Sequence, residues 1–255
     1  MARVAIVTGS DSGIGKATAV QLAQDGFDVG VTWHNDEDGA GDTVEQVRAQ
    51  GRLAEVRRLD LTRLPDAAGV IDELADALGG VYALVNNAGI SKQAPALELS
   101  YEDWRETLAI DLEGAFLCAQ HAGRRMVRAG NGGRIVNVTS VHEHTPLPKS
   151  VAYVAAKHGL GGLTKQLASE LARHRITVNS VAPGLVATAM TNMEDVDVET
   201  VDRPKIPAGR PADAREIASA IGWLCSDGAS YTTGVSLVVD GGFLLTNPSY
   251  DPAEA

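Results

Sequence analysis

The chain has 255 residues, 44% of them hydrophobic, and a formal charge of −11, which suits a single α/β domain with a sizeable core. The acidic balance argues against nucleic acid as a partner, because neutralising phosphates takes clustered Lys and Arg. No apolar run reaches the ~20 residues of a membrane span, and the only cysteines, Cys118 and Cys225, lie outside any metal-ligand or C-x-x-C spacing and pack as small hydrophobes.

The first element is Val4-Ala5-Ile6-Val7, a short β-branched run that predicts a buried parallel strand. A glycine-rich stretch, Thr8-Gly9-Ser10-Asp11-Ser12-Gly13-Ile14-Gly15, leads into residues 16–23, whose apolar positions recur at helical spacing. Glycines there permit positive φ and leave no Cβ between backbone and a phosphate, while the free N–H groups of the helix start favour an anion. Residues 27–33 predict a second strand, 43–50 the beginning of a helix, and Asp60 closes a third strand-like segment. Tyr82-Ala83-Leu84-Val85 predicts another strand, followed by Asn86-Asn87-Ala88-Gly89. Arg124, Arg125 and Arg128 read as a solvated helix face. Residues 134–139 predict a strand ending at Ser140, 152–173 a long helix, and 176–181 and 236–239 further strands.

Strands separated by helices imply parallel pairing through right-handed crossovers, hence a Rossmann-type doubly wound parallel sheet with helices on both faces. No Pro/Ser-rich linker, repeat or low-complexity tract divides the chain, so residues 1–255 are expected to form one domain. The first strand begins by residue 3, leaving no room for a signal peptide, and the expected localisation is cytoplasmic. In such sheets ligands bind beyond the carboxyl ends of the strands, which puts the Gly9 turn and Ser140 on one edge.

Tyr153 and Lys157 are four apart on the long predicted helix, so both project from one face. A tyrosine is too weak an acid for proton transfer at neutral pH, and a neighbouring ammonium favours its phenolate. Tyr153 would exchange a proton with a substrate hydroxyl, and Ser140 would donate to the oxygen where negative charge develops.

The T-G-x-x-x-G-I-G turn at 8–15, Asn86 to Gly89, Ser140 with Tyr153-x-x-x-Lys157, Asn179-Ser180-Val181-Ala182-Pro183-Gly184 with Thr188, and Val239-Asp240-Gly241-Gly242 together resemble the short-chain dehydrogenase/reductase family over nearly the whole chain. Within it, Ser140-Val141-His142-Glu143-His144-Thr145-Pro146 looks like the segment of bacterial glucose and acetoin-type dehydrogenases and of an uncharacterised bacterial oxidoreductase subgroup. The resemblance implies hydride transfer between a nicotinamide dinucleotide and a small ketone, secondary alcohol or polyol. It implies cofactor contacts at Gly9, Asp11, Ser12, Gly13, Ile14, Gly15, Asp60, Leu61, Asn87, Ala88, Gly89, Pro183, Gly184, Val186 and Thr188. Tyr153 and Lys157 would share in them, the lysine by holding the nicotinamide ribose. A fourth catalytic place, usually asparagine, is taken here by Asp111, whose carboxylate would favour the ammonium of Lys157 and alter the pH dependence of a proton relay.

Aligned with the family, Trp33 occupies the position where an acidic residue would select NAD, and His34 with Asn35 follows where NADP users often carry arginine. NADP(H) is therefore favoured, with NAD(H) possible. Asp36, Glu37 and Asp38 would oppose a 2′-phosphate if turned inward. Residues 189–207 correspond to the family's substrate lid and are acidic, with Glu194, Asp195, Asp197, Glu199 and Asp202. His142, two residues from Ser140, is a candidate substrate contact beside Ser140 and Tyr153. The family resemblance also implies a homotetramer, with a C-terminal tail at 243–255 whose Pro248 and Pro252 could meet a neighbouring subunit. Two alternatives stay open: a 3-oxoacyl-thioester reductase (acyl-carrier-protein or CoA), which shares every motif, and a cofactor-binding regulator without turnover. No metal site is expected.

Overall fold

Alternation within the first strand sets up two cores. In β1 (Val4–Val7), Ala5 and Val7 enter one hydrophobic cluster and Ile6 the other, because successive side chains leave opposite faces of a strand. A computed structural model of the chain describes residues 3–194 and 196–246. Asp195 and the tail prolines Pro248 and Pro252 lie outside the described residues.

The strands are β1, β2 (Asp28–Trp33), β3 (Ala54–Arg58), β4 (Ala83–Asn86), β5 (Gly133–Val138), β6 (Ile176–Pro183) and β7 (Ser236–Val239), all parallel in the order β3-β2-β1-β4-β5-β6-β7. The principal helices are α1 (Gly13–Gln24), α2 (Glu37–Ala49), α3 (Val70–Leu78), α4 (Tyr101–Leu108), α5 (Gly114–Ala129), α6 (Val151–Leu171) and α7 (Ala214–Cys225). Helices α1, α2 and α7 bury Leu22, Val47, Ile221 and Leu224 on one face of the sheet. On the other, α3 and α5 bury Ile71, Leu74 and Met126. Truncating a side chain such as Leu74, which has no exposed surface, costs about 2–5 kcal/mol. This is the expected doubly wound fold, and β1 and β4 flank the point where strand order reverses, the place where such sheets open a crevice at their carboxyl edge.

Some boundaries depart from the sequence reading. Helix α2 begins at Glu37 rather than near Thr43, because Asp36 accepts the Gly39 N–H at 2.9 Å and caps a polar first turn that has no apolar periodicity. Strand β3 stops at Arg58, so Asp60 lies two residues beyond it. Arg125 is not part of a purely solvated face: it pairs with Asp72 and, at 2.7 Å, with Asp76, docking α5 on α3. Both cysteines are buried, and burial pushes their thiols up to about 12. No helix among the described residues is long and apolar enough to cross a membrane.

Candidate active site

The glycine turn is built by its neighbours. Thr8 Oγ1 accepts the N–H groups of Asn87 (2.9 Å) and Ala88 (3.0 Å), and Asn87 Nδ2 donates to the carbonyls of Thr8 (3.0 Å) and Gly9 (2.8 Å). These bonds stitch the ends of β1 and β4 together and aim the turn across the crevice. Gly9 and Gly13 take φ of +60° and +51°, which side chains rarely adopt. At Gly15 a Cβ would stand 2.0 Å from the Gly9 carbonyl oxygen, so no larger residue fits. Helix α1 starts at Gly13, and Ser12 makes no side-chain cap, which leaves the first N–H groups facing the turn. This bare cradle at a helix start fits a dinucleotide pyrophosphate. Thr188 closes it from the far side, where its Cγ2 would lie 3.2 Å from a Cβ on Gly13.

At the end of β2, Trp33 pairs in register with Arg58 of the edge strand β3. The Arg58 guanidinium stands 5.8 Å from the Trp33 ring centroid, and its Nε donates to the His34 carbonyl at 3.1 Å. Arg58 has no carboxylate within ion-pairing distance among the described residues. His34 instead turns to Asp60, Nε2 to Oδ1 at 3.4 Å. Thr62, bonded to Asp60 through both N–H and hydroxyl, holds that carboxyl below its ordinary value, aided by His34 and Arg58. Arg58 is the cation that the sequence reading missed, since only the β2–β3 register brings it beside Trp33. Burial raises Asp11 above its ordinary value, and Asp36 nearby adds to the effect. Leu61 sends its side chain into the core, leaving its backbone at the sheet edge.

The proton-transfer candidates converge at the end of β5. Lys157, on α6, donates from Nζ to the Val138 carbonyl at 3.2 Å, two residues before Ser140, and its Nζ lies 5.4 Å from the centroid of the Tyr153 ring. Its other neighbour is Asp111, whose Oδ2 is 3.2 Å away, off the angle of a hydrogen bond, while Oδ1 accepts the Ile90 N–H at 2.8 Å. Asp111 sits in a π-helical turn (Ala109–Glu113) between α4 and α5, a local widening of the kind found at functional sites. Gly89 lies against this pair, where a Cβ would stand 3.0 Å from Asp111 Oδ2 and 3.3 Å from Lys157 Nζ. Burial raises the Asp111 carboxyl, against the pull of Lys157. Burial also draws the Lys157 ammonium down, but Asp111 and Tyr153 outweigh it and its net shift is upward.

Ser140 is nearly buried, and its Oγ accepts the His142 N–H at 3.1 Å, which leaves its own proton free to donate. His142 is half-buried, and burial lowers its pKa, so the ring is neutral at pH 7. Its Nδ1 faces the Thr145 carbonyl at 3.2 Å and therefore carries the proton, leaving Nε2 as an acceptor. Beneath these groups a buried ladder runs from Asn86 to Asn137 (2.9 Å) and on to Thr164 (2.9 Å), locking β4, β5 and α6 into one floor. Gly184, the residue after β6, donates its N–H to the Val239 carbonyl at 2.9 Å, and Val186 is tied to Ala212. Of the expected cofactor contacts, Leu61 and Val186 bury their side chains in the two cores, and Ile14 and Ala88 pack theirs against them, so these residues face the crevice with backbone.

A family model described as enoyl-(acyl carrier protein) reductase matches residues 9–244. The chain is 56% identical over 252 residues to the uncharacterized oxidoreductase YohF of Escherichia coli K12, covering 99% of this chain and 100% of that one. The solved structure of the acetoin dehydrogenase YohF of Salmonella typhimurium superposes with a TM-score of 0.94 at 55% identity, covering 98% of this chain and 99% of that one. Similarity to the 3-oxoacyl-acyl-carrier-protein reductase FabG of Staphylococcus epidermidis is lower, 36% over 245 residues, covering 96% and 100% of the two chains. Among other similar solved structures, one holds NADP and another NAD.

Proposed function

The chain belongs to the short-chain dehydrogenase/reductase family and is an NAD(P)-dependent oxidoreductase of small alcohols and ketones, and we propose that Tyr153 passes the proton to and from the substrate oxygen. The observation that carries this reading is the position of Lys157, bound to the end of β5 beside Ser140 with its ammonium next to the Tyr153 ring. When bound, the nicotinamide supplies or accepts hydride at the substrate carbon.

In the reducing direction the Tyr153 hydroxyl donates to the carbonyl oxygen, and the phenolate left behind forms beside a positive charge. Ser140, already accepting from the His142 N–H, turns its own proton to the same oxygen and stabilises the charge that develops there. The neutral His142 ring offers Nε2 only as an acceptor, to a hydroxyl on the substrate. Asp111 holds the ammonium of Lys157 and the loop at Ile90. The Gly9–Gly15 turn and Thr188 would hold the pyrophosphate and Lys157 the ribose hydroxyls, with residues 189–207 as the lid.

The substrate pair is a small vicinal diketone and its hydroxyketone, or a similar short secondary alcohol. The end-to-end similarity to an acetoin dehydrogenase supports this. NADP(H) is the preferred cofactor. Support comes from an indole rather than a carboxylate at the end of β2, and from the Arg58 guanidinium beside it. Asp36 is engaged as the cap of α2. The chain assembles as a homotetramer, a reading supported by exposed apolar side chains, Phe116 and Val127 on α5, Val151 on α6, Trp223 on α7, and Val235 and Val238 at β7. Light scattering giving four chain masses would agree, and a monomer would refute it.

The test is steady-state reduction of diacetyl, acetoin and an acetoacetyl thioester with NADPH and NADH in parallel. Preference for a diketone with NADPH is the expected result. Preference for the thioester would move the chain to acyl-chain reduction, and cofactor binding without turnover would leave it a regulator.

A further inference from the structure

A carboxylate that the proton-transfer scheme does not use is buried directly behind Ser140. Glu143 ends the short 3-10 turn Val141–Glu143, and only 5% of its side chain is exposed. Its Oε1 occupies the space where a Cβ at Gly161 would sit, 2.3 Å away, so the bare backbone of α6 one turn beyond Lys157 is what admits it. Its Oε2 accepts the Ser236 hydroxyl at 3.2 Å, across from the sheet's edge strand β7. Ser236 Oγ lies in turn 3.1 Å from His144 Nε2. Because the serine proton is given to the carboxylate, Nε2 of His144 must carry the proton that Ser236 accepts. The result is a directed chain, His144 to Ser236 to Glu143, that returns to the turn it started from.

The same turn presents the site groups. The Ser140 carbonyl accepts the Glu143 N–H at 2.8 Å, Ser140 Oγ accepts the His142 N–H at 3.1 Å, and the Val141 carbonyl accepts the His144 N–H at 3.0 Å. The four residues 140–143 thus carry Ser140 and His142 together with the anchored carboxylate. We infer that Glu143 is a positioning residue, and that its anchorage on Ser236 and Gly161 holds the turn in the one geometry that points the Ser140 proton and the His142 ring at the substrate. Ser236 and His144 complete the brace. This inference rests on the role proposed above for Ser140.

The brace is tested by hydrogen exchange at residues 140–145, read beside steady-state kinetics and NADPH binding, in the parent, Glu143→Gln, Glu143→Ala and Ser236→Ala. Glutamine keeps the shape and an acceptor oxygen, so its exchange and kcat should match the parent. Both alanine variants should speed exchange in this turn about tenfold and lower kcat for the ketone by a similar factor, with KM and the NADPH Kd within about twofold. If Glu143→Ala fails to fold, Ser236→Ala decides, since it removes only the donor. Parental exchange and kcat in Ser236→Ala would overturn the brace. So would faster exchange spread equally over the glycine turn with a matching loss of NADPH affinity. Faster local exchange in the alanine variants of a protein whose parent shows no turnover would uphold the brace and refute the catalytic reading.

Discussion

The Lys157 ammonium stands 3.2 Å from the Asp111 carboxylate at a place where neither side chain has more than 5% of its surface exposed. An amide at position 111 could accept the same Ile90 N–H, but only the acid puts a charge beside the lysine. Asp111 leads the influences that hold the Lys157 ammonium against the downward pull of burial. Asp111→Asn should therefore let burial act and move the alkaline limb of kcat/KM to lower pH. Profiles that overlay across pH 6–11 would limit Asp111 to its bond with Ile90.

Cofactor choice should turn on two residues that meet across the β2–β3 ladder. Arg58→Ala should lower the NADPH-to-NADH ratio of kcat/KM on the order of tenfold, and Trp33→Asp should lower it further by adding a repelling carboxylate. Binding of 2′,5′-ADP by calorimetry gives the same contrast without turnover. An unchanged ratio in Arg58→Ala would leave the guanidinium as a lid on the indole only.

Gly15→Ala should abolish dinucleotide binding while leaving the sheet intact. The added methyl would stand 2.0 Å from the Gly9 carbonyl and 2.5 Å from Asn87 Nδ2, so the turn and its stitch to β4 must both shift. Intrinsic fluorescence titration with NADPH, beside a circular dichroism spectrum of the variant, reads both parts.

The segment proposed as the lid is held in part by Arg210. Arg210 contacts Glu199 of the short turn Val198–Thr200 at 3.0 Å and grips both oxygens of Glu216 at the start of α7. Arg210→Ala should speed proteolytic cleavage within 196–205 several-fold. It should change the melting temperature little, because solvent screens such exposed pairs.

Acid stability has a separate source. Burial raises the Asp72 carboxyl, but Arg125 and His121 outweigh it, and the net shift is below the ordinary value of 3.8. A carboxyl held down in the folded state contributes stability that is present above pH 3.8 and lost as pH falls through the folded value. The parent's melting temperature should drop as the pH falls below about 4, and Arg125→Leu should show a shallower drop there.

Much of this site could be read from residue order. The glycine turn, Ser140 and the Tyr153–Lys157 pair are local patterns, and the alternation of strands and helices is enough to put them on one edge. Strand order and register were not legible, so neither was the meeting of Trp33 with Arg58 or of Glu143 with Ser236, which lie 93 residues apart. Helix α2 hid its start because Glu37 to Asp42 is polar and its signal is the Asp36 cap rather than a hydrophobic stripe. The π-helical turn at Asp111 has no sequence pattern of its own, since it arises where α4 and α5 join end to end over α6.

The most direct test of the central claim is kcat for NADPH-dependent reduction of diacetyl by the parent and by Tyr153→Phe, with the NADPH Kd measured for both. The phenyl ring keeps the shape and the contact with Lys157 but has no proton to give. A fall in kcat on the order of a thousandfold or more with Kd unchanged is the predicted result. Turnover within about threefold of the parent would contradict it and assign the proton to another group.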